Sequence, residues 1–393
     1  MREAVIVAMG RSPIGKAPRG SLKHTRPEEI GTQVVKGIFD KIPNFDLELI
    51  DDFIVGCAFQ EAEQGFNMGR VVGLKAGLPE SVPAQTVNRF CASGSQTISI
   101  AANSIMVGQA DCILAGGIEC MSTVPIEGNM KYPDTDLIEE NSEVYMSMGQ
   151  TAENVAEKYG ITRKMQDEFS VMSHQKAENA IKEGKFDEEI IPIEAVRPSV
   201  DKKGNTNIES FTFKMDEGVR KGANLKSFAK LRPVFKKGGS VTAANSSQMS
   251  DGAAFVLVMS REKAEELNMK PIAIFKTFAA VGVPPNIMGI GPMKAIPKAL
   301  KIAGLKKKDI DLIELNEAFA SQSIACINEL GLDKEKVNVN GGAIATGHPL
   351  GCTGAYLTIK LLSEMRRRNN KYGMVSMCIG GGMGAASIFE LVK

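Results

Sequence analysis

The sequence predicts an α/β fold made of two similar halves, one of which carries a long insertion. Short apolar runs typical of buried strands alternate with stretches whose apolar residues recur at helical spacing. Segments near the start resemble segments near the end in the same order, whereas the region between them follows a different pattern. A chain with this alternation is expected to form a mostly parallel sheet covered by helices on both faces.

The elements of the first half follow from these patterns. Residues 4–9, 53–55 and 113–114 are apolar and predict buried strands, and helical spacing of apolar residues in 30–38 and 98–105 predicts helices. Their spacing along the chain indicates one duplicated unit, because the similar segments lie about 250 to 265 residues apart. The similar pairs are 50–56 with 310–316, 87–88 with 339–340, and 113–117 with 377–381.

We therefore expect three parts. An N-terminal half spans 1–120 and is completed by about 240–270, and a C-terminal half spans 271–393. The segment 121–250 between them is long enough to form a loop domain or lid that binds a ligand. Its predicted elements are helices at 151–158 and 164–183, the second opened by Thr162, and a basic stretch with Arg220, Lys221, Lys226, Lys230 and Arg232.

The composition argues against several classes of function. A formal net charge of +1 gives no overall field for nucleic acid or a membrane surface, and no apolar run reaches about eighteen residues. The N-terminus reads directly into a strand without a signal or transit pattern, and the C-terminus is not a peroxisomal signal. Seven cysteines, scattered without CxxC pairs, predict a cytoplasmic protein without disulfides or a metal site.

Cys91 is the first candidate for chemistry. It follows an apolar strand and precedes a helix predicted from about Ser93. A thiol at such an elbow meets the positive end of the helix dipole and free backbone N–H groups, which favour the thiolate of a nucleophile. The alternative interpretation is a buried structural cysteine.

Only three histidines could act as a base for this cysteine. His348 lies among glycines in 340–354, where the backbone can approach a ligand closely, and Pro349 biases it away from helix. The alternative is an ordinary histidine in a turn. His174 lies in an amphipathic helix and is expected at the surface, and His24 is expected in an exposed loop.

Two more candidates lie at strand ends. Asn316 ends an apolar run between two carboxylates, and its alternative role is to cap a helix. Cys378 opens onto Gly380 in a G-x-G-x-x-A pattern, but only eight residues follow Ala385, so no dinucleotide-binding unit fits. Residues 10–16 match G-x-x-x-x-G-K, but an alanine stands where a phosphate loop needs a hydroxyl.

Together these segments resemble the four active-site motifs of the thiolase family, in the family's order and along nearly the whole chain. The resemblance implies the thiolase fold, two duplicated α/β halves in a five-layered α-β-α-β-α stack with an inserted loop domain. It also implies a homodimer or a homotetramer. The motif segments are 88–94, 316–319, 347–349 and 378–382.

The resemblance also implies roles. Cys91 attacks the keto carbonyl of a 3-ketoacyl-CoA and becomes acylated, while His348 accepts the thiol proton. Cys378 protonates the departing acetyl-CoA carbanion and then deprotonates the incoming CoA. Asn316 holds a water that forms one oxyanion hole with His348, and the N–H groups of Cys91 and Gly380 form the second. Donors arranged in this way supply several kcal/mol of transition-state stabilisation.

For the substrates, the resemblance implies that Arg220 covers the adenine of CoA, and that Ser227 and Ser247 contact its ribose and pantetheine. Met148 lines the acyl end. The implied ligands are 3-ketoacyl-CoA, acetyl-CoA and CoA as substrates, with no permanently bound cofactor, no metal, no nucleic acid and no membrane.

The residues that occupy two of the motifs indicate the subtype of thiolase. Residues 350–354 and 88–90 are similar to bacterial degradative 3-ketoacyl-CoA thiolases of fatty-acid β-oxidation rather than to biosynthetic thiolases. The alternatives are a thiolase specific for acetoacetyl-CoA and a non-catalytic, thiolase-like lipid-binding protein.

Overall fold

The fold is described by a computed structural model that covers residues 2–126, 128–129, 132–201 and 204–392. The strands are β1 (Ala4–Arg11), β2 (Gly15–Lys16), β3 (Asp52–Gly56), β4 (Ala84–Val87), β5 (Cys112–Cys120), β6 (Ile193–Val200), β7 (Thr206–Phe213), β8 (Ser250–Ser260), β9 (Ala273–Gly282), β10 (Leu312–Leu315), β11 (Tyr372–Ile379) and β12 (Met383–Leu391). The helices are α1 (Pro27–Asp40), α2 (Met68–Ala76), α3 (Ser93–Met106), α4 (Thr135–Asn141), α5 (Met148–Lys158), α6 (Arg163–Lys182), α7 (Leu225–Phe228), α8 (Arg261–Glu266), α9 (Gly291–Ala303), α10 (Ala320–Leu330), α11 (Ala343–Thr346) and α12 (Leu350–Arg368). Within the described ranges, no helix combines the length and the apolar character needed to cross a membrane.

One sheet runs through the molecule, and helices separate its two halves into layers. Its strands lie in the order β10-β11-β12-β9-β1-β8-β5-β3-β4, with β2 paired to β8. Helices α3 and α12 pack on each other and on strands of both halves, which places them in the centre. Helices α1 and α2 cover the outer face of the first half, and α9 covers that of the second. The five-layered α-β-α-β-α order is therefore confirmed.

Alternation along the strands produces these layers. On β5, Ile113 and Ala115 join the central apolar cluster with α3 and α12, whereas Leu114 joins the outer cluster with α1 and α2. On β11, Val375 faces the central cluster and Met374 the outer cluster beneath α9. Successive side chains point to opposite faces of a strand, so both faces of each half are buried.

The duplication is visible in a pair of hydrogen-bonding turns. Asp51 accepts hydrogen bonds from the backbone N–H groups of residues 111–112 at 2.7 and 3.0 Å. Asp311 accepts the equivalent pair from residues 371–372 at 2.8 and 3.0 Å. Both the acceptor and the donors are displaced by 260 residues, from 51 to 311 and from 111 to 371. The duplicated unit expected from the sequence is therefore present.

The predicted similarity between 113–117 and 377–381 is out of register. Asp52 on β3 lies opposite Ile113, and Leu312 on β10 lies opposite Gly373, so residue 113 corresponds to 373. The predicted pairing of 113–117 with 377–381 is therefore wrong by four residues. Both segments are small and apolar with paired glycines, and such short runs match in several registers.

The sheet is mixed, so the expectation of a mostly parallel sheet is wrong. Strand β3 pairs in parallel with β4 and β5, and β10 pairs in parallel with β11. The strands β1, β8, β9 and β12 form antiparallel pairs at the centre of the sheet. A strand buried on both faces reads as a continuous apolar run in either direction, so the pattern does not reveal its orientation.

Residues between β5 and β8 form the helices α4 to α7 and the β6–β7 hairpin. The predicted helices at 151–158 and 164–183 correspond to α5 and α6, and Thr162 caps α6 by accepting from the Met165 N–H at 3.3 Å. Arg11 on β1 is fully buried and binds Glu189 and Asp216 of this segment at 2.8 to 2.9 Å. A buried arginine with two carboxylates fastens the segment to the sheet.

Candidate active site

Cys91 lies at the elbow between β4 and α3, as predicted. It is the middle residue of a 3-10 turn, Phe90–Ala92, that runs directly into α3. Phe90 has a φ of +44°, and its N–H donates to Asn88 Oδ1 at 2.8 Å. A left-handed conformation costs energy for a non-glycine residue, so the turn is held in place by its surroundings.

Two opposing influences act on the pKa of the Cys91 thiol. Burial has the largest effect and raises the pKa of Cys91 to about 11, although the N–H groups of Gly380 and Cys91 act to lower it. The N–H groups at the elbow act in the expected direction, but burial outweighs them. The thiol needs a base at the moment it reacts.

Cys378 and Gly380 lie beside Cys91. Burial raises the pKa of the Cys378 thiol well above its usual value, and negative charge on Cys91 raises it further because the two sulfurs are neighbours. The Gly380 N–H acts to lower the pKa of the Cys91 thiol, so the two residues are neighbours. A Cβ atom on Gly380 would lie 3.6 Å from the Met148 sulfur, so Met148 borders the same place.

His348 is joined to Asn316 on one side and to Thr353 on the other. His348 Nε2 lies 3.3 Å from Asn316 Nδ2, and His348 Nδ1 lies 2.7 Å from Thr353 Oγ1. Thr353 donates its own proton to the Pro349 carbonyl at 3.0 Å, which leaves Oγ1 to accept from Nδ1–H. Nε2 is therefore the unprotonated nitrogen. Burial lowers the pKa of His348 to about 4, so the ring is neutral at neutral pH.

Asn316 does not cap a helix, so the alternative considered for it is wrong. The next helix, α10, begins at Ala320, and its N-cap is Phe319. Asn316 Oδ1 is buried and has no hydrogen-bond partner among the described residues. A buried polar atom without a partner is costly, and a bound water or substrate would satisfy it.

The group formed by Cys91, Cys378 and Gly380 and the pair His348–Asn316 both lie near the N-terminal ends of α3 and α12. The Asn316 N–H donates to the Ser376 carbonyl at 2.8 Å, on the strand that ends beside Cys378. Leu350, the first residue of α12, packs with Cys91 in one apolar cluster. The structure thus places Cys91 beside Cys378 and Gly380, and His348 beside Asn316, with both groups at this end of the two helices.

Two buried carboxylates hold this arrangement, Glu317, which lies in the 316–319 motif, and Glu119, which was missed in the sequence. Glu119 accepts from the Gly351 N–H at 2.8 Å, directly after the His348 segment. Glu317 accepts from Ser173 Oγ at 2.6 Å and from Asn338 Nδ2 at 2.9 Å. A carboxylate inside the apolar run 112–120 was the signal that could have revealed Glu119. Over the described chain, no three or more His, Cys, Asp or Glu residues are grouped to hold a metal ion.

The three residues predicted to contact CoA fall into two places. The Arg220 guanidinium lies 5.6 Å from the centre of the Phe228 ring, and Ser227 is exposed next to that ring on α7. Ser247 is half-buried, and its N–H donates to the Ala318 carbonyl at 2.9 Å, within the 316–319 motif. One polar contact predicted for CoA therefore lies at the active-site loop, and two lie on the segment around α7.

His174 is buried, so the expectation of a surface histidine is wrong. Its residue is 1% exposed, and its Nδ1 accepts a hydrogen bond from the Arg220 N–H at 3.1 Å. The helical pattern of α6 placed it correctly on a helix, but only the fold shows that the 220–228 segment covers that face. His24 is exposed, as predicted.

Comparison with models of protein families shows to which family the chain belongs. Residues 4–262 match the model described as "Thiolase, N-terminal domain", and residues 269–391 match "Thiolase, C-terminal domain". The chain belongs to the thiolase family. This thiolase contains all four motif segments inside the matched ranges, so the family resemblance inferred from those motifs is confirmed.

Relatives and solved structures agree along the full length of this thiolase. It is 55% identical to the 3-ketoacyl-CoA thiolase of Bacillus subtilis over 391 residues, with 100% of each chain covered. It is 46% identical to the acetyl-CoA acetyltransferase of Cupriavidus necator, covering 99% of this chain and 100% of that one. The crystal structure of the dimeric peroxisomal thiolase of Saccharomyces cerevisiae aligns with a TM-score of 0.89 at 40% identity, covering 100% and 98% of the two chains.

Proposed function

We propose that this thiolase is an acetyl-CoA C-acyltransferase that cleaves 3-ketoacyl-CoA with CoA, giving acetyl-CoA and an acyl-CoA shortened by two carbons. The same site runs the reverse condensation. The observation that carries this proposal is the neighbourhood of Cys91, Cys378 and the hydrogen-bonded His348–Asn316 pair. The full-length similarity to a bacterial 3-ketoacyl-CoA thiolase supports the degradative subtype.

In the first half-reaction, Cys91 sulfur attacks the keto carbonyl while His348 Nε2 accepts the thiol proton. Both groups start in the neutral states that this transfer requires. The bond between the α-carbon and the keto carbon then breaks, and its electron pair leaves as the enolate of acetyl-CoA. Cys378 protonates the enolate and becomes a thiolate, and Cys91 keeps the shortened acyl group as a thioester.

In the second half-reaction, the Cys378 thiolate takes the proton of an incoming CoA thiol. The CoA sulfur attacks the acyl thioester on Cys91 and releases the shortened acyl-CoA. His348 returns its proton to Cys91, which restores the starting site. Negative charge on oxygen is stabilised by the N–H groups of Cys91 and Gly380 and by a water held between Asn316 and His348.

The segment 121–250 binds CoA in this proposal, between the N-terminal half and the C-terminal half at 271–393. Arg220 covers the adenine, Ser227 contacts the ribose, and Ser247 leads the pantetheine to the active-site loop. The backbone bond between Ser247 and Ala318 supports this path. CoA acts as a substrate, with no permanently bound cofactor. All seven cysteines are free thiols, which supports a reducing, cytoplasmic location.

A homodimer is the assembly proposed here. Strand β4 is the free edge of the first half of the sheet, and α2 packs beside it. Phe66 is 97% exposed just before α2, and Val71 and Leu74 on that helix are more than 40% exposed. An open strand edge flanked by exposed apolar side chains is typical of a protein contact. The dimeric yeast relative supports a second copy of the chain as the partner.

The test is a thiolysis assay that follows loss of the enolate absorbance of 3-ketoacyl-CoA. We expect turnover of both acetoacetyl-CoA and 3-ketodecanoyl-CoA with CoA, and loss of at least about 10³-fold in the variant Cys91→Ser. Cys112→Ser is the control, because Cys112 is a buried core cysteine at the start of β5. Turnover of acetoacetyl-CoA alone would indicate a thiolase specific for that substrate. Absence of turnover with either substrate would contradict the proposal.

A further inference from the structure

Helix α6 holds the backbone that carries Arg220. His174 Nδ1 accepts from the Arg220 N–H at 3.1 Å, and Glu178 Oε2, one helical turn later, accepts from the Gly222 N–H at 3.1 Å. These two acceptors face the same turn of the 220–228 segment. The turn is therefore fixed to a twenty-residue helix rather than left as a free loop.

The other end of the segment is attached to the same helix. Arg163, the first residue of α6, donates from Nη2 to the Phe228 carbonyl at 2.7 Å. Phe228 is buried, and its ring lies edge-on to the His174 ring with centres 5.9 Å apart. The Arg220 guanidinium lies 5.6 Å from the centre of that ring. His174 thus contacts both the backbone of Arg220 and the ring beside its side chain.

We infer that His174 is a positioning residue for CoA, which fixes Arg220 where the adenosine end of CoA binds. The inference rests on the proposed function of Arg220 as a CoA contact. Fixing the Arg220 backbone and the Phe228 ring beside its guanidinium before binding reduces the entropy lost when the ligand is held. His174 itself lies beneath Arg220 and contacts no substrate.

A neutral imidazole suits this role. Nδ1 can accept from the Arg220 N–H only while it carries no proton. Burial lowers the pKa of His174 to about 4, and the positive charges of Arg220 and Lys16 act in the same direction. Glu178 on α6 is engaged by Lys182 and by the Gly222 N–H, which limits its pull on the ring. The accepting form is therefore the one present at neutral pH.

Two substitutions of His174 separate the effect of losing the hydrogen-bond acceptor from the effect of changing the side-chain volume. His174→Phe keeps a flat ring but removes the acceptor, whereas His174→Asn places Oδ1 where Nδ1 stands. The acyl acceptors to compare are CoA and pantetheine, which lacks the adenosine end. Arg220→Ala tests the underlying contact, and His24→Phe at the exposed histidine is the matched control.

We expect His174→Phe to raise the KM for CoA about five- to tenfold, the value of one lost hydrogen bond, with kcat close to that of the unchanged protein. The KM for pantetheine stays the same, and His174→Asn recovers most of the loss. If His174→Phe does not fold, His174→Gln replaces it, because its amide reaches the Nε2 position and leaves the Nδ1 position without an acceptor.

Three results overturn the inference in different ways. Equal increases in KM for CoA and pantetheine in His174→Phe mean a general distortion of the site. If Arg220→Ala raises the KM for CoA but His174→Phe does not, the positioning role of His174 is excluded while the role of Arg220 stands. An unchanged KM for CoA in Arg220→Ala removes the proposed role of Arg220 itself, and this failure is recognisable because thiolysis by Cys91 continues.

Discussion

At the scale of single residues, burial sets the chemistry of the site more than ion pairing does. Burial raises the pKa of Cys91 to about 11 and lowers that of His348 to about 4, so the pair rests as thiol and imidazole. A standing thiolate–imidazolium pair would require the opposite shifts. The proposed attack therefore couples proton transfer to bond formation.

This protonation state predicts an unusual pH dependence. A base works in its unprotonated form, so a lowered pKa extends its activity to lower pH. We expect the rate of Cys91 acylation to stay constant as pH falls from about 8 through the ordinary histidine pKa of about 6.5, and to decline only towards pH 4 to 5. Rapid-quench acylation across this range measures it. An acid limb centred on the ordinary histidine pKa would contradict the assignment of His348.

Thr353 is expected to set the tautomer of His348. Thr353→Val keeps the shape but removes the acceptor for Nδ1–H at 2.7 Å, so the proton can move to Nε2 and block the base. We expect kcat to fall about ten- to hundredfold, with unfolding stability changed by much less than the loss of activity. Thr353→Ser keeps the hydroxyl and serves as the control. Full activity in Thr353→Val would show that the tautomer does not matter.

The sequence predicted which residues form the candidate site better than it predicted their protonation and burial. Cys91, His348, Cys378 and Asn316 stand in motifs, and the fold places them together. The N–H groups at the elbow favour the Cys91 thiolate as predicted, but this local argument omits the burial that the rest of the chain imposes. His174 was misplaced for the same reason, since a segment about 50 residues further on covers it.

At the scale of elements, α3 and α12 approach each other closely at the ends that follow Cys91 and His348, the proposed nucleophile and base. Cys91 precedes α3 and His348 precedes α12, and the two helices touch through their first turns. A Cβ atom on Gly354 would lie 2.2 Å from the Ser95 backbone nitrogen, and one on Gly94 would lie 2.6 Å from that of Ala355. Only glycine lets the helices come this close.

Gly354→Ala is therefore expected to force the two helices apart. We expect a loss of about 2 to 3 kcal/mol in the free energy of unfolding, with a fall in kcat that exceeds what the unfolded fraction explains. Gly282→Ala is the matched control, because an added Cβ there meets no atom within 4 Å. Urea unfolding and thiolysis rates measure both effects. Equal stability of the two variants would contradict this account of the helix contact.

Four of the helices were predicted, and the sheet was predicted only in part. Helical spacing of apolar residues located α1, α3, α5 and α6, because each buries one face. The direction of β8 was not predictable, since it is buried along its whole length and follows the long segment that includes α6. Two signals indicate strand direction in a sequence, a short connection to the preceding strand and an alternation of apolar and polar residues. Neither is present at β8.

At the scale of the whole molecule, duplication places the site between two similar halves. The first half supplies the elbow with Cys91, and the second supplies Asn316, His348 and Cys378. The order of the layers was predictable from the resemblance of motifs, and the 260-residue repeat of Asp51 and Asp311 supports it independently. A second copy of the chain at the β4 edge would complete the assembly.

Phe66 is expected to lie in that interface. Phe66→Glu places a charge on a side chain that is 97% exposed in one chain, so the fold should tolerate it while the dimer weakens at least about tenfold. Ile302→Glu on α9, where the side chain is 57% exposed in the other half, is the control. Sedimentation over a range of concentrations measures both. An unchanged dimer in Phe66→Glu would exclude this face as the contact.

The proposed mechanism requires that Cys91 is the acylated sulfur. The decisive measurement is peptide mass spectrometry after acid quench of the protein mixed with 3-ketooctanoyl-CoA or with acetyl-CoA alone. We expect a hexanoyl or an acetyl group, respectively, on Cys91 and on no other cysteine. The mechanism also predicts acetylation of Cys91 by acetyl-CoA in Cys378→Ala, although that variant loses turnover by about 10²- to 10⁴-fold. An acyl group on Cys378, or normal turnover with Cys91 replaced by serine, would contradict it.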